Sequence, residues 1–156
     1  MDLQDITDHQ PLPHPHTDTE SEVRQMLKRF AEAVRYGKVS EIMLFYTTDI
    51  VAFDIMPPLQ NKGRDQYRKA WQSYADNSKV PMAYDFVDLK IHTSQDHDHA
   101  FGFGVLHMHG QTKDEKKIDM LLRYTAGYQR INGKWLICHE HTSVPIDMES
   151  QKPQWN

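Results

Sequence analysis

Asn132-Gly133-Lys134-Trp135-Leu136-Ile137-Cys138-His139-Glu140-His141-Thr142-Ser143-Val144-Pro145 is the stretch on which the fold turns. Asn-Gly is a two-residue hairpin signal, because both central positions of a type I′ turn need φ > 0. Beyond such a turn, side chains alternate across a strand. One face is then expected to carry Trp135, Ile137, His139, His141 and Ser143, and the other Leu136, Cys138, Glu140, Thr142 and Val144. A strand that only filled a core would not need two imidazoles beside a tryptophan. Histidine changes charge near neutral pH, so this face can bind anions, bind metals or move protons. The plainer alternative is a partly exposed strand whose histidines are packed and hydrogen-bonded.

Working back from that strand, positions 82–93, 100–110 and 117–130 read as three more long strands, joined by polar turns at 94–99 and 111–115. Before them the period changes. Thr19-Glu20-Ser21-Glu22 fits a capping box. Val23, Met26, Leu27, Phe30, Ala33 and Val34 then recur at helical spacing up to Gly37. A second short helix is expected over 39–46 and a strand over 50–55, stopped by Pro57-Pro58. A third helix opens at Gly63, with Tyr67, Ala70, Trp71 and Tyr74 as its stripe. Helices first and an antiparallel meander after them predict an α+β domain.

The 156 residues suit one domain with one core. Residues 1–18, with Pro11, Pro13, Pro15 and His9, His14, His16, read as a flexible N-terminal arm, residues 19–147 as the domain and 148–156 as a tail. A net charge of −4 without a basic run argues against nucleic acid as the main partner. One cysteine cannot form an internal disulfide, no apolar run approaches the roughly 18 residues of a membrane span, and no signal peptide is visible. A cytoplasmic location without membrane association is therefore expected.

The order helix, helix, strand, helix, then four strands resembles the nuclear transport factor 2-like fold. Within it the chain is most similar to the SnoaL-like and ketosteroid isomerase-like bacterial branch. The residues that carry this resemblance are Asp49-Ile50-Val51-Ala52-Phe53-Asp54, Pro57-Pro58, Gly63 opening a helix with Trp71, and Gly133-Lys134-Trp135 running into His139–Pro145. The resemblance implies a cone-shaped half-barrel, a strongly curved antiparallel or mixed sheet wrapped around three N-terminal helices. It does not imply a reaction, since one fold hosts many functions. It places Asp54 where the related steroid isomerases have their general base, beside His139 and His141. It also implies an inward Arg123, from an Arg-x-Thr on the third long strand, as an anchor for a carboxylate or enolate oxygen. Tyr46, Trp71 and Trp135 complete the expected ligand-binding set.

Two departures count against steroid isomerase activity. The tyrosine that stabilises the enolate in those enzymes falls on Phe30, and their protonated aspartate falls in Thr125-Ala126-Gly127. Without an oxyanion hole a lone base loses several kcal/mol of transition-state stabilisation. If catalysis occurs, His139, His141 or Arg123 must take the electrophilic role.

The expected function is binding of a small hydrophobic, acidic or enolisable molecule, with isomerase-, cyclase- or hydratase-type proton transfer by a pocket Asp or His. The alternatives are a non-catalytic binding or dimerising module, and a His-dependent metal protein. His107-Met108-His109 is a second His-x-His, but one intervening strand would hold it about 9–10 Å from His139, too far for shared coordination at about 2 Å. No metal and no cofactor are expected. The convex face of a curled sheet would leave an apolar patch that soluble monomers seldom expose. A homodimer is therefore expected, with Tyr84, Phe86, Phe101, Phe103, Leu122 and Tyr124 as candidates for its interface.

Overall fold

A computed structural model describes residues 18–156. The expected flexible arm, apart from Asp18, and its three histidines lie outside the described residues. The chain runs α1 (Asp18–Arg35), α2 (Val39–Met43), β1 (Tyr46–Phe53), β2 (Asn61–Lys62), α3 (Arg64–Asn77), β3 (Ser78–Thr93), β4 (His99–Thr112), β5 (Lys117–Ile131) and β6 (Lys134–Ser143). The six strands form one mixed sheet in the order β2-β1-β6-β5-β4-β3. β1 lies parallel to β6, and every other neighbouring pair is antiparallel. The architecture is the α+β cone expected: a curved, unclosed sheet with the helices in its concave face.

Packing follows the sequence pattern. The apolar stripe of α1 is buried, from Val23 through Phe30 to Val34. Phe30 is the hub, with edge-on contacts to Phe45, Tyr46, Trp71 and Tyr84 at centroid distances of 5.7–6.0 Å. Asn132 and Gly133 have φ of +50° and +76°, the two positive values the hairpin needs, and Ile131 pairs with Lys134 across it.

Three local expectations change. Tyr46 opens β1 instead of closing α2. The capping box does not form: the Thr19 hydroxyl meets Nδ1 of His97 at 3.2 Å, and Glu22 accepts from Trp135 Nε1 at 2.8 Å. The convex face also differs from its expected membership. Phe101 and Phe103 are exposed there, but Tyr84, Leu122 and Tyr124 are buried inside, and Phe86 packs on Tyr124 at 4.9 Å. The reason is the alternation of β5, in which Leu122, Tyr124, Ala126 and Tyr128 are the buried set.

The feature that most affects the interior is a bulge in β6. Tyr128 pairs with Ile137 and Gly127 with His139, so Cys138 has no partner across the ladder. Such an extra residue reverses the alternation beyond it. Gly127 stands opposite it, where a Cβ would meet the Cys138 sulfur at 3.4 Å, an ordinary van der Waals contact. Trp135 and Ile137 point inward before the bulge, and Glu140 is buried after it.

Candidate functional site

Glu140 is 3% exposed and sits among rings. Its Oε1 accepts hydrogen bonds from Tyr46 (2.7 Å) and Tyr67 (2.5 Å), while Trp71 Nε1 donates to the Tyr46 hydroxyl at 3.1 Å. Its Oε2 is buried without a hydrogen-bond partner among the described residues. Burial pushes this carboxyl up to about 7. The two tyrosine hydroxyls pull it down, and the nearby Asp54 charge pushes it further up. The Tyr46 and Tyr67 hydroxyls are held well above their ordinary value by the same burial and by the Glu140 charge, so they stay neutral donors. In register, Asn61, Ala52 and Glu140 form one row across β2, β1 and β6. Asn61 Nδ2 is a second buried group without a partner among the described residues. An unpaired donor and an unpaired acceptor on one row give this part of the interior a polar capacity that the described side chains leave unused.

Asp54 follows β1 directly, near the lip of the cone. Its Oδ1 accepts from the Ile55 N–H at 2.7 Å and, more weakly, from the Thr142 hydroxyl at 3.5 Å. Burial raises its proton affinity against these bonds. It borders a cavity of about 630 Å³ whose wall is mostly apolar and includes Phe53, Leu59, Val144 and Trp155, with His141 on the same rim. Among the described residues, no lysine or arginine belongs to that wall.

The structure separates residues that were expected to converge. Asp54 lies inside with Thr142. Arg123 is exposed on the opposite face, where its Nε donates to the Ser143 hydroxyl at 3.1 Å. His139 is also turned outward by the bulge: its Nδ1–H donates to the Val51 carbonyl at 2.6 Å, and its ring lies 4.9 Å from that of Phe53. His141 stands against the other side of Phe53 at 5.5 Å and reaches the cavity rim because β6 ends nearby. Tyr46 and Trp71 belong to the Glu140 network. Trp135 lies toward the opposite end of β6, bonded to Glu22 with the Arg130 guanidinium 5.6 Å from its ring. Asp54 and His141 thus share the cavity, and Arg123, His139 and Trp135 do not line it.

Glu140 and Tyr67 had not been singled out as site residues from the sequence. Only Gly127, a glycine inside a strand opposite Cys138, signalled that β6 would bulge there. Among the described residues, no group of three or more metal-ligating side chains could hold an ion. His107 bonds Asp119 at 2.8 Å, and β5 lies between its strand and β6.

The chain's residues 23–147 match the family model described as a SnoaL-like domain. An NTF2-like protein of unknown function from Pseudomonas putida KT2440 is 34% identical, with 88% of this chain and 94% of that one covered and a TM-score of 0.78. A ketosteroid isomerase-like protein from Erwinia carotovora atroseptica SCRI1043 (16% identity, coverage 81% and 96%, TM-score 0.68) shares the fold. So does the association domain of C. elegans CaMKII (12% identity, coverage 80% and 95%, TM-score 0.66). No curated protein matches the chain.

Proposed function

The chain belongs to the SnoaL-like domain family, and from that premise we propose that it binds a small, uncharged, carbonyl-bearing molecule at the lip of the cone and moves a proton with Asp54. The observation that carries this reading is a partly desolvated carboxylate on the wall of an otherwise apolar cavity. Asp54 takes the proton from a carbon beside the carbonyl, and the C–H electron pair becomes the double bond of an enolate. Where the ligand carries a β,γ double bond, returning the proton at the far end of the dienolate isomerises it; where it carries a β-hydroxyl, that group leaves as water with the proton Asp54 took, which dehydrates it. His141, on the rim of the same cavity, is the group available to donate toward the enolate oxygen. An anionic ligand fits poorly, because the arginine expected to anchor it faces the other way. Phe30 is fully buried against four rings and offers no hydroxyl, which speaks against steroid isomerase chemistry.

Deuterium exchange of the α-hydrogens of 2-tetralone in D2O, followed by proton NMR, tests the assignment. Asp54→Asn should slow exchange by at least about 100-fold, the usual contribution of a positioned base. Equal rates for the two proteins would sink it. A second reading, a non-catalytic binding module, is favoured by the ring-filled apex, which keeps Glu140 away from the open cavity. Binding of 2-tetralone by the wild type without any exchange would establish that alternative.

We also propose a homodimer formed through the convex sheet face. Phe101 and Phe103 are exposed there and stack with His92 at 4.9 and 5.7 Å, beside exposed Val87 and Leu121. An exposed apolar patch of this kind is seldom left to water. Sedimentation equilibrium at micromolar concentration should give twice the 18.3 kDa chain mass, and Phe103→Lys should give the monomer. A monomeric wild type would remove the claim. Among the described residues, no helix is long and apolar enough to cross a membrane. The single half-buried thiol of Cys138 fits a reducing, cytoplasmic setting.

A further inference from the structure

The family match stops at Asp147, yet the chain continues and returns to the cavity. Asp147 N–H donates to the Lys152 carbonyl at 2.9 Å and Gln154 N–H to the Pro145 carbonyl at 2.8 Å, while Ile146 pairs antiparallel with Pro153. This small hairpin carries Trp155 past the end of β6. The β5–β6 ladder ends at the pair Arg123 and Ser143, which leaves β5 without that neighbour further along. There Leu121 N–H donates to the Trp155 carbonyl at 2.7 Å. The tail thus continues the sheet by one bond and lays Pro153 and Trp155 along the wall of the cavity that holds Asp54. Trp155 is half-buried against the edge of the core.

We propose that residues 148–156 are a wall of the ligand site added to the family domain, and that Trp155 is the surface selecting planar, uncharged ligands. This rests on the reading of the cavity as a ligand site, and it adds the element that determines what enters. The physical case combines three features. An indole offers a large flat face that a planar ring can cover with few rotors to freeze. A single backbone bond at Leu121 and the turn at 147–152 fix where that face stands. Among the described residues, the charged or titratable side chains on the wall are Asp54 and His141, with no lysine or arginine lining it for an anion to pair with.

The probe for the test is 6-propionyl-2-dimethylaminonaphthalene, a planar uncharged ketone whose emission moves to the blue in apolar surroundings. Wild type should bind it saturably. Trp155→Ala and a chain ending at Ser150 should weaken binding about tenfold or more, the scale of one lost stacking contact plus its buried area. Trp155→Phe, which keeps a flat ring, should stay within about threefold of wild type. If Trp155→Ala perturbs folding, Trp155→Leu carries the same expectation, since it keeps apolar contact without flatness. Absence of saturable binding by wild type, or equal binding by wild type and Trp155→Ala, overturns the proposal. The 2-tetralone exchange assay separates this from the catalytic reading. Selective dye binding without exchange leaves the wall standing and removes Asp54 as base.

Discussion

Replacing Glu140 by glutamine should stabilise the protein by roughly 3 kcal/mol above pH 7 and alter it little below pH 4.5. The sign follows from the proton balance. In the unfolded chain this carboxyl titrates near its ordinary 4.5, and in the fold burial moves it to about 7. Between those values the folded protein holds a proton that the unfolded chain has released, so wild-type stability falls as pH rises through the window. Above pH 7 both states are ionised, and the whole cost of the buried charge is present. Glutamine keeps the shape, and its carbonyl can accept from Tyr46 and Tyr67 as Oε1 does. It has no charge to bury. Urea unfolding at pH 4, 6 and 8 measures the difference; parallel wild-type and variant curves across that range would refute the assignment.

Phe30→Ala should cost about 3–5 kcal/mol, the range for deleting a fully buried ring from a close-packed core. Phe30 is 0% exposed and meets four rings edge-on, so no neighbour can relax into the space without leaving its own partners. Two of those neighbours, Tyr46 and Trp71, belong to the hydrogen-bond chain that ends on Glu140. The variant should therefore also let water reach the carboxyl and flatten the pH dependence described for the wild type. Chemical denaturation at pH 5 and pH 8 reads both effects. A loss below about 1 kcal/mol would show that the hub is not tightly packed.

The fold was legible because its signals are periodic and redundant. The α1 stripe, the Asn132-Gly133 turn and the strand alternation agree with one another, and agreement across levels is what specifies a structure. Element ends were less legible where tertiary packing decides them: Tyr46 had apolar spacing suited to α2 but is drawn into β1. The site divides along the same line. Asp54 reaches the cavity because β1 alternates regularly from Ile50 onward, after the irregularity between Tyr46 and Val51, with Ile50 and Ala52 buried. The outward position of Arg123 was readable from its own strand, since Leu122, Tyr124, Ala126 and Tyr128 are the apolar set of β5. The resemblance to enzymes with an inward Arg-x-Thr pointed the other way, and the local pattern was the better guide. His139 was not readable in this way, because its face depends on a bulge in the pairing of β6 with β5.

The bulge at Cys138 means that residue count, as well as residue identity, sets the chemistry of the cone. Without that one extra residue, the letters His-Glu-His would present two imidazoles to the tyrosines and a carboxylate to solvent. A relative spelled alike around this strand but lacking the bulge would carry the opposite interior. Matching two such chains letter by letter pairs an inner residue of one with an outer residue of the other. Functional residues can be transferred along β6 only after its ladder to β5 has been counted.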